Sequence, residues 1–216
     1  MTMKIFLDTA NYEEIAERYA TGLVDGITTN PTLVRKAGVD YYEFIKTLSD
    51  DFAFESISAE VNGETADEMI DNAQRYVEIG NEITVKLPLT QEGLIACKVL
   101  SDEGIKTNVT LCFSAAQAVM AAKAGATYIS PFVGRLNDNS FSGVELVRAI
   151  SQLYSVQGAE TKVLAASLRD THHVSRCLMY GADVVTLPTK VFDKMYNHVL
   201  TDAGLAIFDE DFKSLV

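Results

Sequence analysis

Eight short β-rich runs alternate with helix-patterned segments along the chain, and this alternation constrains the fold more than any other feature. The runs are Ile5–Asp8, Gly26–Thr29, Ile57–Val61, Ile83–Leu87, Thr107–Leu111, Thr127–Phe132, Lys162–Ser167 and Asp183–Leu187. Their starts lie 21, 31, 26, 24, 20, 35 and 21 residues apart. Each interval holds one strand and the crossover helix that a parallel neighbour requires. Between the runs, apolar residues recur at helical spacing, as in Ile95, Val99 and Leu100 or Leu146, Ile150 and Leu153. Val184, Val185 and Leu187 make the last run almost continuously apolar, the mark of a strand covered on both faces and hence of a parallel sheet. Gly80, Gly104, Gly125 and Gly181 stand two or three residues ahead of strands, where a helix ends on a left-handed residue.

Eight such units favour a single closed (β/α)8 TIM barrel over an open doubly wound sheet. The first strand also lacks a following G-x-G-x-x-G, which argues against a dinucleotide fold. In 216 residues the barrel takes the whole chain, 1–216, as one domain. The tail Leu205–Val216 adds an amphipathic helix, with Leu205, Phe208, Phe212 and Leu215 at helical spacing. It is surplus to the barrel and is expected to pack on the outside or on a neighbouring subunit.

Charge and cysteine usage bear on partners and compartment. Lys plus Arg total 18 against 30 Asp plus Glu, a formal charge of −12. An acidic exterior repels phosphate backbones and anionic lipid, so neither nucleic acid nor membrane is an expected partner. Cys97, Cys112 and Cys177 show no C-x-x-C spacing and read as core thiols of a reduced compartment. With no long apolar run and no signal-peptide pattern in the sequence, the cytoplasm is the expected location.

In a (β/α)8 barrel, chemistry gathers at the C-terminal ends of the strands. Those ends carry Asp8, Thr28 and Asn30, Glu60, Lys86, Asn108 and Thr110, Ser130 and Phe132 with Arg135 just beyond, and Ser167 and Arg169. A barrel interior ordinarily takes Val, Ile and Leu, so this polarity needs a reason. Lys86 stands inside the apolar strand Ile83–Leu87. Burial disfavours an ammonium ion, one route by which a lysine becomes an amine nucleophile toward a carbonyl. An edge-strand lysine reaching to water, or a plain anion anchor, is the alternative. Asp8 and Glu60 are two carboxylates that different surroundings could set to different acid–base tasks. Asp8 could instead cap the first helix, although Asn11 with Glu14 three residues on is the better capping-box match, and Glu60 could simply pair with Lys86. Arg135, Ser167 and Arg169 read as a phosphate site, because arginine forks match phosphate and Ser167 precedes a helix. Surface ion pairing is the plainer reading for either arginine alone.

Other chemistry finds no support in the sequence. His172 and His173 open a helix and His198 is isolated, with no ligand cluster at metal spacing. Phosphate-loop and G-x-S-x-G motifs are absent, and no cofactor is expected. Tyr76 and Tyr154 read as packing residues. Carbon chemistry without metal or cofactor needs covalent help, and Lys86 is the residue placed to give it.

Six segments together resemble the transaldolase family, in its short bacterial-type branch that includes the fructose-6-phosphate aldolases. They are Phe6–Ala10, Gly26–Thr32, Val85–Pro88, Asn108–Thr110, Ile129–Arg135 and Ala166–Arg169, in order through most of the chain. The resemblance implies a class I aldolase barrel and a Schiff base on Lys86. Asp8 would be the base at the breaking bond, and Glu60 and Thr110 would hold the proton-carrying water. Thr28 and Ser130 would line the site, Asn30 and Asn108 would bind hydroxyls, and Arg135, Ser167 and Arg169 would bind phosphate. Transaldolases are similar to this chain in having Glu at 60 and Phe at 132, where the aldolases tend to have Gln and Tyr. The resemblance therefore implies transfer of dihydroxyacetone in the pentose phosphate pathway, from sedoheptulose 7-phosphate or fructose 6-phosphate to glyceraldehyde 3-phosphate or erythrose 4-phosphate. The alternatives are an aldolase that releases free dihydroxyacetone and a non-catalytic sugar-phosphate-binding barrel. It also implies a homo-oligomer, a pentamer or decamer, with the C-terminal helix reaching a neighbour.

Overall fold

A computed structural model describes residues 3–215. All eight expected strands form: β1 (Lys4–Asp8), β2 (Gly26–Thr28), β3 (Ser56–Glu60), β4 (Ile83–Pro88), β5 (Thr107–Cys112), β6 (Tyr128–Pro131), β7 (Lys162–Ala165) and β8 (Val184–Leu187). They pair in parallel in chain order, and β8 closes on β1 to make a (β/α)8 barrel.

One helix per unit is not what the structure has. The first unit holds α1 (Tyr12–Tyr19), but the 31-residue interval holds both α2 (Pro31–Ala37) and α3 (Tyr41–Asp51). Single helices α4 (Ala66–Val77), α5 (Gln91–Asp102) and α6 (Ala115–Lys123) follow. The 35-residue interval again takes two, α7 (Val133–Asp138) and α8 (Gly143–Gln157), before α9 (Thr171–Met179). After β8 come α10 (Thr189–Lys194) and α11 (Val199–Ser214). The longest intervals are those that carry an extra helix over the strand ends.

Polar caps set the helix starts. Asn11, Asn30, Asp40, Thr65, Thr90, Ser114 and Asp170 each accept from a backbone N–H of the first turn. Asn11 caps α1 as expected, but Glu14 does not fold back to complete a capping box. Its Oε2 accepts from Thr189 Oγ1 at 2.8 Å, tying α1 to the start of α10. Gly104, Gly125 and Gly181 are left-handed as expected, whereas Gly80 is not. Gly80 lies three residues past the end of α4, one step beyond the position where a left-handed residue ends the other three helices.

Alternation along the strands divides the barrel. Outward residues such as Ile57, Val85, Leu87, Val109 and Val185 are buried against the helices in one core, each contributing about 1.5–3 kcal/mol of burial free energy. Inward residues split in two. Phe6, Tyr128, Leu164 and Val184 form a small apolar cluster of their own. Opposite them lie Thr28, Ser56, Ser58, Thr84 and Asn108, all buried. Ser56 and Thr84 share a hydrogen bond at 2.7 Å, and Asn108 Nδ2 donates to Ser58 Oγ at 3.3 Å. One flank of the interior is therefore hydrogen-bonded rather than oily, and it leads up to the site. Cys97, Cys112 and Cys177 are buried and unpaired, and burial pushes the Cys112 thiol up to about 11.

The tail differs from its expected bounds. Its helix begins at Val199, six residues ahead of Leu205, because His198 supplies the N-cap. Val216 lies outside the described residues. None of the described residues of α11 is buried, and Leu205, Phe208, Phe212 and Leu215 are each at least 55% exposed.

Candidate active site

The strand ends surround a cavity of about 510 Å³. Asp8, Thr28, Asn30, Glu60, Lys86, Asn108, Thr110, Ser130, Phe132, Arg135 and Ser167 line it, all of them singled out from the sequence. Sheet register brings the central ones together. Asp8 pairs beside Thr28, Glu60 beside Lys86, and Lys86 beside Asn108.

Lys86 is 7% exposed, with its Nζ at the cavity wall. Nζ lies 2.9 Å from Glu60 Oε2 and donates to the Thr29 carbonyl at 3.1 Å. The pairing with Glu60 that the sequence left open is present. A lysine this buried is tolerable because a charge and a dipole both face it. Asp8 is held differently. Burial raises its pKa above the ordinary aspartate range, partly offset by Lys86 and by the Thr28 hydroxyl, while Glu60 adds to the rise. Thr28 Oγ1 donates to Asp8 Oδ1 at 2.9 Å and accepts in turn from Thr186 Oγ1 at 2.7 Å. Thr28 has one hydroxyl proton and spends it on Asp8, so Thr186 must be the donor between the two threonines.

Further polar groups sit around this pair. Asn30 Oδ1 caps α2 through Leu33 N–H at 3.1 Å, which leaves its amide N–H groups for the cavity. Ser130 Oγ donates to Asn108 Oδ1 at 2.6 Å. Thr110 Oγ1 is buried and no described protein group bonds it. A buried hydroxyl with no partner on a polar cavity wall is suited to a bound water or a ligand oxygen.

At the far wall Arg135 stacks its guanidinium on Phe132, 4.8 Å from the ring centroid, and Phe113 packs edge-on behind it. Ser167 sits at φ 59° and Leu111 at φ 65°, left-handed conformations that cost a non-glycine residue about 1–3 kcal/mol. Both face the cavity. Gly134 makes the close approach of α7 to β7 possible: its N–H donates to the Ser167 carbonyl at 3.0 Å. A Cβ there would lie 2.1 Å from that carbonyl and 2.9 Å from Arg169 Nε. Gly134→Ala is therefore expected to displace Ser167 and Arg169 and to lower stability by about 1–3 kcal/mol, which denaturant melts check.

Arg169 is the one expected site residue that the structure keeps off the cavity wall. It is ion-paired with Asp138 at the end of α7 and half exposed. An aspartate from the extra helix, which the strand-end pattern could not anticipate, competes for it. Conversely, Thr186 lines the cavity and was not singled out. The signal existed, since a threonine inside the apolar run Asp183–Leu187 is the same anomaly that marked Lys86.

Fold and site together define a (β/α)8-barrel enzyme whose cavity sets a buried lysine among two carboxylates and an arginine. Comparison with known sequences agrees. The family model described as transaldolase/fructose-6-phosphate aldolase matches residues 5–216. A probable transaldolase of Caulobacter vibrioides is 52% identical over 212 residues, covering 98% of this chain and 97% of the relative. Probable transaldolases of Cereibacter sphaeroides and Methanococcus vannielii are each 51% identical over 210 residues, covering 97% of this chain and 95% and 97% of theirs. The chain belongs to the transaldolase/fructose-6-phosphate aldolase family. Among the described residues no helix is long and apolar enough to cross a membrane.

Proposed function

We propose that this chain is a transaldolase that carries a dihydroxyacetone unit on Lys86, from sedoheptulose 7-phosphate or fructose 6-phosphate to glyceraldehyde 3-phosphate or erythrose 4-phosphate. The supporting observation is the setting of Lys86: 7% exposed, 2.9 Å from Glu60, at the wall of a cavity that also holds Asp8 and Arg135.

A water held between Glu60 and Thr110 takes a proton from Nζ, and the neutral amine attacks the ketone carbon. The same water returns a proton to the carbinolamine hydroxyl, which leaves as water and gives an iminium. Asp8 then removes the proton from the hydroxyl one bond beyond the scissile carbon–carbon bond. The bond's electron pair moves into the iminium, leaving an enamine on Lys86 and releasing an aldose phosphate. A carboxylate whose pKa is raised by burial is the stronger base for that step once ionised. The acceptor aldehyde reverses the sequence: the enamine attacks it, and protonated Asp8 supplies the alkoxide with its proton. Thr28 orients Asp8, Asn30 and Asn108 bind hydroxyls, and Ser130 fixes Asn108. Arg135 and Ser167 take the phosphate, joined by Arg169 when it exchanges Asp138 for the ligand. The exposed apolar face of α11 supports assembly with further copies of the chain.

Borohydride reduction with fructose 6-phosphate, followed by peptide mass mapping, tests the proposal. One dihydroxyacetone-derived adduct on Lys86 is expected; an adduct elsewhere, or none, overturns it.

Phe132 bears on the fate of the enamine. An apolar ring supplies no proton, so the enamine waits for an aldehyde instead of being quenched to free dihydroxyacetone. Phe132→Tyr should raise acceptor-independent cleavage, relative to transfer, by roughly tenfold, below the ~10²–10⁴ of a fully positioned proton donor. Turnover measured with and without erythrose 4-phosphate gives the ratio. An unchanged ratio removes Phe132 from the choice between transfer and release.

A further inference from the structure

β2 ends at Thr28 while β3 runs on to Glu60. The register Thr28↔Ser58, continued by one residue, would pair Thr29 with Ala59. In a parallel ladder the Thr29 N–H would then bond the Ser58 carbonyl, and the Thr29 carbonyl would receive the Glu60 N–H. The second of these is replaced: the Glu60 N–H donates to Tyr41 Oη at 2.6 Å, and the Ser58 carbonyl accepts from Thr29 Oγ1 at 2.9 Å. Tyr41 Oη and Thr29 Oγ1 are 2.8 Å apart. Thr29 has already given its single hydroxyl proton to Ser58, so Tyr41 donates to Thr29. With the Glu60 N–H given to Tyr41, the Thr29 carbonyl receives no bond from β3. It is the carbonyl that accepts from Lys86 Nζ at 3.1 Å.

We propose that Tyr41, the first residue of α3, is a positioning residue for Lys86: its hydroxyl replaces the Thr29 carbonyl at the edge of β3 and so releases that carbonyl to orient Nζ. The inference rests on the reading of Lys86 as the nucleophile. A neutral amine keeps two N–H bonds. With those held by Glu60 and Thr29, and Cε as the third substituent, the lone pair is left pointing into the cavity. Burial and the Tyr76 ring, 5.8 Å away between centroids, fix the phenol, and burial holds its pKa well above the ordinary tyrosine value. Without the hydroxyl, the Glu60 N–H is free to recapture the Thr29 carbonyl, and Nζ loses one of its two anchors.

Tyr41→Phe removes one oxygen and keeps the ring. The rate of borohydride trapping at saturating fructose 6-phosphate should fall by roughly tenfold to a hundredfold, as for other small misplacements of a reacting group. The sugar concentration for half-maximal trapping should move by less than about twofold, because phosphate and hydroxyl contacts are untouched. Thr29→Val, which keeps the side-chain volume and deprives Tyr41 of its acceptor, should show the same split and decides the matter if Tyr41→Phe does not fold. Trapping at the wild-type rate in the folded variants overturns the proposal, as does a loss of rate matched by an equal loss of affinity. Reductive methylation of Lys86 by formaldehyde, read by peptide mass, reports the same amine without sugar and should slow in parallel. No sugar adduct on the wild-type protein, together with slower methylation in Tyr41→Phe, would sink the Schiff-base reading and leave the role of Tyr41 standing.

Discussion

Lys86→Met should leave no sugar adduct after borohydride and should cut transfer turnover by at least roughly 10⁴-fold, toward the ~10⁶ that loss of a covalent nucleophile costs elsewhere. Methionine matches the length of the lysine stem and keeps the packing of β4, so the loss is chemical. Removing the ammonium also removes the largest influence holding the Asp8 pKa down, and leaves Glu60 without its partner. That raises a second explanation for a dead variant, namely a charge imbalance. Lys86→Arg separates the two. A guanidinium restores the positive charge beside Glu60 but offers no amine lone pair at any ordinary pH. The arginine variant should be as inactive as the methionine variant. Turnover within about 10² of wild type in either would mean that covalent catalysis has to be abandoned, and in the arginine variant alone that Lys86 acts as an electrostatic anchor.

The outline of the barrel was legible because parallel strands covered on both faces leave a strong, periodic signal, and the site because a barrel gathers its polar residues at one end. Lys86 stood out for the same reason that it must be paired: nothing in an apolar strand tolerates an ammonium without partners. What was not legible depends on contacts between segments distant in sequence. The intervals of 31 and 35 residues were visible, yet their surplus length gave no sign that it would form α2 and α7 over the cavity. Nor did it show that Arg169, expected at the phosphate, would pair with Asp138 at the end of α7. Glu14 looked like half of a capping box and turned instead to Thr189, 175 residues away. Tyr41 carried no signal at all, because its role comes from the early end of β2, which only the sheet register reveals.

Asp8→Asn should separate the two halves of the reaction. In the proposed mechanism Schiff-base formation needs Lys86, Glu60 and the water held between Glu60 and Thr110, so borohydride trapping of fructose 6-phosphate should persist. Cleavage needs a base at the donor hydroxyl, and the amide has none. Turnover should fall by about 10²–10⁴-fold, the usual contribution of a positioned general base. Burial raises the Asp8 pKa, so the acid limb of the wild-type cleavage rate should lie above the ordinary aspartate range and vanish in the variant. The same shift fixes the sign of the stability change. A carboxyl whose pKa is raised in the folded state favours the fold while protonated. That contribution is complete below the ordinary value and is lost as pH rises through the raised one. At pH 7 Asp8 is therefore a net cost, and Asn, which can still accept from Thr28, removes it. The variant should unfold at higher denaturant than wild type at pH 7, and the gap should close as the pH is lowered toward the ordinary aspartate value. An Asp8→Asn protein that loses trapping together with cleavage would instead assign Asp8 to the formation of the iminium.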